Sequence, residues 1–212
     1  MKTETIEVPP IIPISDLRLI EARHILDDFT VVMDSINVGT SFSDAVDKIL
    51  ACRGKIIVSG IGKAGLAMTK FASTLCSLGF PSCFLHPGEA QHGDLGLIQK
   101  NDLLFICSVS GKTREVYELI DLARNINVSY IIGLTSHPDS PIREKVDLVL
   151  DMGVIKEAGW LGLAPTTSII VILAITDALA LVAAKEKGVT KEDYARLHHA
   201  GYLGKKSREE VD

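Results

Sequence analysis

Between residues 16 and 51, apolar side chains recur at helical spacing: Leu17, Ile20 and Ile25, then Val31, Val32, Met33 and Ile36. Positions three and four apart share one face of a helix, so this stretch predicts two helices, the second opening at Ser41 or Ser43 after Gly39. The pattern then changes. Short, unbroken apolar runs bounded by turn formers occupy 55–59, 82–85, 103–107, 129–134 and 148–151. Runs that are apolar throughout, rather than alternating, indicate strands covered on both faces, and helical stretches such as 64–78 and 114–125 supply the cover. Right-handed crossovers then give an α/β three-layer sandwich around a five-stranded parallel, flavodoxin-like sheet. After the last strand come 164–187, apolar on most sides, and a short amphipathic 191–197. Pro9, Pro10 and Pro13 make 1–15 an extended arm; 16–206 reads as one domain and 207–212 as a tail.

Composition narrows the partners. Of 212 residues, 47% are hydrophobic and 23% charged, enough apolar material for one substantial core. The net charge of −5 offers no broad basic field to nucleic acid or an anionic membrane, so an anionic ligand must be met by individually placed Lys or Arg residues. No basic-then-apolar leader opens the sequence, and the most apolar stretch, 169–184, is shorter than the ~20 residues of a bilayer span and includes Thr176 and Asp177. We therefore expect a buried core helix there, and a cytoplasmic protein. Cys52, Cys76, Cys83 and Cys107 sit in apolar segments without C-x-x-C spacing, which predicts free, buried thiols in a reducing compartment.

In sheets of this kind ligands bind at the carboxyl ends of the strands, where helix N-termini also point. The first such loop, Gly60-Ile61-Gly62-Lys63-Ala64-Gly65, matches G-x-G-x-x-G. A dinucleotide site also wants an acidic residue at the end of the second strand; that strand runs instead into His86-Pro87-Gly88, and Lys63 favours a compact anion. After the third strand, Ser108-Val109-Ser110-Gly111-Lys112-Thr113 is not a P-loop, because Ile106 stands where the first glycine is required. It reads either as a phosphate cradle of hydroxyls and backbone N–H groups or as ordinary helix capping by Ser110 or Thr113. His86, Glu89 and His92 have a spacing that suits metal ligands, but Pro87-Gly88 disturbs the helix they would need; polar lining of a cleft is the alternative. Glu157 lies where the last strand gives way to the long helix, with Pro165 suited to that helix's first turn and the following hydroxyls to its cap. A carboxylate there can take a proton from carbon beside a carbonyl, or can simply be a solvated loop residue.

Taken together and in this order, these loops resemble the SIS-domain family of sugar-phosphate isomerases, and within it the arabinose-5-phosphate isomerase branch. The resemblance rests on the loop at 60–65, H-P-G-E-A-Q-H-G-D-L-G at 86–96, S-V-S-G at 108–111, K-E-A at 156–158 and L-G-L-A-P-T-T-S at 161–168, and runs from about residue 17 to residue 206. It implies interconversion of ribulose 5-phosphate and arabinose 5-phosphate through an enediol, without cofactor or metal, feeding Kdo synthesis for lipopolysaccharide or capsule. It further implies a homotetramer with sites between subunits. By position it makes Lys63, Glu115, Glu157 and His198 catalytic and Ser108, Ser110 and Thr113 the phosphate loop; Gly62, His86, His92 and Thr166, in the neighbouring loops, are expected to be further substrate contacts. Glu157 is the base, with Glu115 the less favoured candidate.

Several positions depart from the family pattern. Val109 and Lys112 replace residues of S-N-S-G-E, Gly159-Trp160 follow K-E-A, and His198-His199-Ala200-Gly201 replace H-P-G-G, leaving His199 as a second candidate histidine. Lys112 adds positive charge beside the phosphate loop and Trp160 is expected to reshape the sugar pocket. The sequence to Asp212 has no counterpart of the family's paired CBS regulatory modules, so feedback is expected to act at the sugar site. Two other readings remain: an isomerase of another ketose phosphate, and a non-catalytic sugar-phosphate sensor.

Overall fold

The computed structural model describes residues 17–208; the arm at 1–15 and residues 209–212 of the tail lie outside them. Five parallel strands, β1 (Ile56–Gly60), β2 (Ser82–Phe84), β3 (Leu103–Cys107), β4 (Tyr130–Thr135) and β5 (Leu148–Asp151), lie in the order β2-β1-β3-β4-β5. This is the flavodoxin-like order expected above.

The reason for the layers is visible in alternate residues of each strand. Ile56 and Val58 of β1, and Leu103, Phe105 and Cys107 of β3, enter one core. Ile57, Leu104 and Ile106 enter the other. The first core is closed by α2 (Thr40–Ala51), α3 (Gly62–Ser77) and α6 (Thr167–Lys187); the second by α5 (Arg114–Asn125), through Val116, Leu119, Ile120 and Ala123. An edge-on contact of Phe71 and Phe105, ring centroids 5.2 Å apart, anchors α3 on the sheet. An ion pair between Lys70 and Asp177 joins α3 to α6 at the surface.

At the amino edge of the sheet, the carboxylate of Asp102, 1% exposed, accepts the Lys55 ammonium at 2.7 Å and the backbone N–H groups of Lys55 and Gln99, each at 2.8 Å. Burial of this charge is therefore fully compensated.

Some boundaries differ from the sequence reading. α2 opens at Thr40 rather than Ser41 or Ser43, and α6 at Thr167 rather than 164. With 21 residues and a mean hydropathy of 2.3 in its most apolar window, α6 is long enough to cross a membrane, so length does not exclude a span. Its packing against α2 and α3, with 56% of that window buried inside the protein, accounts for its apolar character. Two short helices escape the periodicity altogether: α4 (Pro87–Ala90) and α8 (Gly201–Lys206), which with α7 (Lys191–Leu197) follows α6. All four cysteines are free, but only Cys107 is buried; Cys76 is exposed and Cys52 and Cys83 are half-buried, a correction to the expectation for all four. Burial pushes the Cys107 thiol up to about 12.

α1 (Leu17–Asp34) has no buried residue, and Leu17, Leu19, Leu26 and Val31 along it are exposed.

Candidate functional site at the carboxyl edge of the sheet

The β1 and β3 loops leave the sheet side by side, because Gly60 pairs with Cys107 in the ladder. Close packing explains the glycine pattern after β1: a Cβ on Gly65 would lie 2.6 Å from the Gly60 carbonyl oxygen, so only glycine lets α3 start against its own strand. Gly62 and Lys63 open α3 and are both exposed at this edge.

The loop after β3 is held from beneath. Ser108, buried, shares a hydrogen bond of 3.0 Å with the Thr113 hydroxyl, and the Gly111 N–H donates to the Ser108 carbonyl at 3.0 Å. Exposed Ser110 accepts the Lys112 N–H at 3.2 Å. Thr113 is the N-cap residue of α5, yet neither it nor Ser110 caps the helix with its side chain. The capping alternative is thereby overturned. The first-turn N–H groups of α5 are left facing the edge, as are those of α3, which Ile61 cannot cap. Glu115 is exposed in the first turn of α5.

Glu157 meets the third helix N-terminus. Its Oε2 accepts the N–H groups of Thr166 at 2.8 Å and Ser168 at 3.3 Å, with the Thr166 hydroxyl at 3.5 Å. The expected capping of α6 by its own hydroxyls is thus replaced by capping with this carboxylate, and Pro165 stands outside the first turn. All these bonds fall on one oxygen, so Oε1 remains for other chemistry. In return, the Ala158 N–H donates to the Thr167 hydroxyl at 3.0 Å. The 158–165 excursion between these clasps carries Trp160 at 88%, Leu161 at 55% and Leu163 at 75% exposure.

His86 precedes Pro87 at the start of α4 and is exposed, its ring edge-on to Phe84; His92, also exposed, follows α4. Gln91 binds Glu118 of α5 at 2.5 Å, joining this segment to α5. Among the described residues no three His, Cys, Asp or Glu side chains gather into a metal-holding group.

His198 stands apart. It caps the C-terminus of α7, its Nδ1 donates to the Tyr194 carbonyl at 2.9 Å, and its ring stacks on Tyr194 with centroids 3.8 Å apart. That hydrogen bond places the ring's remaining lone pair on Nε2. Leu197 of the same helix packs near Gly79, the turn that leads into β2 at the amino end of the sheet. With α6 spanning about 30 Å between Thr167 and Lys187, His198 and its neighbour His199 lie at the end of the chain opposite to Glu157.

The loop after β4, Ser136-His137-Pro138-Asp139-Ser140, escaped the sequence reading, although the rule of looking just beyond each strand applied to it equally. The Ser136 N–H donates to Val109 at 3.0 Å; its hydroxyl donates to Gly153 at 2.6 Å and accepts the Ile155 N–H at 3.3 Å. One buried serine thus ties the β3, β4 and β5 loops together. Thr135 adds contacts to Val109 and Ser140, and Ser140 packs under Gly111.

A doubly wound parallel sheet whose carboxyl edge carries two uncapped helix N-termini and a clasped glutamate defines the class: an α/β protein with its loops and helix starts gathered at one edge. The family profile of the SIS domain matches residues 49–182. The chain belongs to the SIS-domain family. It is 41% identical over 169 residues to arabinose 5-phosphate isomerase KdsD of Pseudomonas aeruginosa, covering 80% of this chain and 52% of that protein. It therefore spans about half the length of the curated relatives it matches. A solved structure from Bacteroides fragilis, named for phosphosugar isomerisation in capsule formation, superposes with a TM-score of 0.84 at 42% identity, covering 87% of this chain and 99% of that one. The protein c3406 of Escherichia coli CFT073, solved in complex with arabinose 5-phosphate, gives 0.82 at 31%, covering 89% and 100%.

Proposed function

We propose that the chain interconverts D-ribulose 5-phosphate and D-arabinose 5-phosphate through an enediol. The observation that carries this reading is Glu157, fixed through one oxygen at the start of α6 while its other oxygen is left for chemistry, on the same edge as the Ser108–Thr113 loop. The named activity of the relatives and the arabinose 5-phosphate bound to c3406 support the choice of sugar.

In this mechanism the phosphoester sits on the N–H groups of the α5 first turn, with Ser108, Ser110 and Thr113 around it. β3 and β5 are two strand spacings apart, about 10 Å, which gives a five-carbon chain room to run from the phosphate loop towards Glu157. Glu157 removes the proton from C2 of open-chain arabinose 5-phosphate and returns one to C1, yielding ribulose 5-phosphate; the reverse direction exchanges the two carbons. Lys63 stabilises negative charge developing on the enediolate oxygens. His198, whose Nδ1 is engaged by the Tyr194 carbonyl, moves the proton between those oxygens through Nε2 and assists opening of the arabinose ring. Gly62, His86, His92 and Thr166 line the sugar, and Glu115 is the reserve base.

His198 follows α7 at the far end of α6 from its own Glu157, which supports a role at the site of a neighbouring subunit. We read the assembly as a homotetramer. Unburied α1, with its exposed leucines, offers apolar surface for such contacts. Residues 16–206 are read as one SIS unit working in the cytoplasm and feeding Kdo synthesis for lipopolysaccharide or capsule.

The test is incubation with ribulose 5-phosphate in deuterium oxide, followed by NMR. Arabinose 5-phosphate carrying deuterium at C2 is the expected product. Sugar-phosphate binding without turnover would replace this reading by the sensor, and turnover confined to a longer ketose phosphate would reassign the substrate.

A further inference from the structure

The phosphate loop contains a cation that the proposed mechanism does not use. Lys112 follows Gly111, whose position is tightly set: its φ is +62°, and a Cβ there would fall 1.6 Å from Ser140 Oγ. The Lys112 backbone N–H is bound to Ser110 Oγ at 3.2 Å, so the residue leaves the loop from a fixed point. Its ammonium lies 3.6 Å from Asp139 Oδ2, and both side chains are largely exposed, at 61% and 74%. A single exposed pair at this distance is held weakly.

Two arginines of neighbouring segments are differently committed. Arg114 is bound to Glu118 at 2.6 Å, and Arg143 to Asp151 at 2.9 Å. Lys63 is assigned to the enediolate. In a chain of net charge −5, Lys112 is thus a loosely held cation within the phosphate loop itself. A phosphoester carries close to two negative charges and three acceptor oxygens at neutral pH. It therefore competes well for an ammonium held by one solvated carboxylate.

The geometry points to Lys112 as a further substrate-binding residue, parked on Asp139 and transferred to the phosphoester when the sugar phosphate binds. Asp139 is then a competitor of the substrate for that charge. The inference rests on the sugar-phosphate reading above and adds a specificity element to the same site. It favours compact dianionic esters over neutral sugars and makes binding sensitive to ionic strength.

The experiment compares wild type, Lys112→Gln, Lys112→Arg and Asp139→Asn in arabinose 5-phosphate turnover over a range of salt concentrations, with binding of arabinose 5-phosphate and inorganic phosphate followed by calorimetry. Loss of one charge-assisted contact raises KM for K112Q on the order of tenfold. kcat stays within about twofold if the contact is equally strong in ground and transition states. The rise of KM with salt becomes shallower in K112Q, K112R restores most of the affinity, and D139N lowers KM. Wild-type KM and salt dependence in K112Q overturn the assignment of Lys112 while leaving the isomerase reading intact. Failure of the wild type to turn over, with phosphate binding that still weakens in K112Q, overturns the isomerase reading and leaves Lys112 in place. A phosphate affinity unchanged in K112Q by calorimetry removes Lys112 in either case.

Discussion

Gly111 carries the most demanding steric requirement at the carboxyl edge. It combines a positive φ with Ser140 packed where any side chain would begin. Replacement by alanine costs ~1–2 kcal/mol for the left-handed backbone, and overlap with Ser140 adds a further ~1–3 kcal/mol. We expect Gly111→Ala to lower unfolding free energy by about 2–4 kcal/mol in urea titrations. Adding Ser140→Gly should recover the overlap part and leave the backbone part. The cysteines give a second residue-scale outcome. Exposed Cys76 should react rapidly with a thiol reagent in the native protein, whereas Cys107, fully buried and with its ionisation pushed up to about 12, should react only on unfolding. Because that thiol ionises more readily unfolded than folded, the fold should lose stability as pH climbs past the ordinary thiol range near ~8.5. A fast-reacting native Cys107, identified by peptide mapping, would contradict this.

Among the elements, α6 joins structure to chemistry, since the carboxylate that caps it is also the proposed base. The two roles separate by substitution. Glu157→Gln keeps an oxygen able to accept the Thr166 and Ser168 N–H groups, so stability should change by less than ~1 kcal/mol, while kcat falls by about 10²–10⁴-fold and sugar-phosphate affinity is largely retained. Glu157→Ala should lose kcat similarly and also about 1 kcal/mol of stability, read by denaturation. Near-wild-type turnover of E157Q moves the base to Glu115. The strands and most helices were legible because their apolar periods are long and local; Arg114–Asn125 and Lys191–Leu197 match the structure residue for residue. Pro87–Ala90 and Gly201–Lys206 were not, being too short to show a period. The clasp between Glu157 and Thr166 was equally hidden, because it joins residues across a loop that sequence spacing says nothing about.

Across the whole molecule, Glu157 and His198 mark opposite ends of one chain, so the proposed mechanism needs the proposed assembly. The expectation is complementation: inactive E157Q and inactive His198→Asn, co-expressed to form mixed oligomers, should regain roughly a quarter of wild-type activity, because pairing by symmetry reunites one intact glutamate with one intact histidine. Mixed oligomers confirmed by mass spectrometry yet wholly inactive would confine each site to one chain. Lys63, Ser108, Ser110 and Glu157 were readable from the strand ends, whereas His198, beyond α7, entered only through the family resemblance, and its place relative to Glu157 depends on where the α6 axis carries α7. Ser136 shows the same limit: its three bonds to neighbouring loops exist only once β4 lies between β3 and β5.

The paired clasps at the feet of the 158–165 excursion make that stretch an exchangeable rim. Ala158 to Thr167 and Thr166 to Glu157 hold its ends against the scaffold, so the sheet does not register what lies between them. Doubling its length would add only ~0.6 kcal/mol of closure entropy. A lineage can therefore remodel exposed Trp160, Leu161 and Leu163 while the proposed base, Glu157, stays where it is.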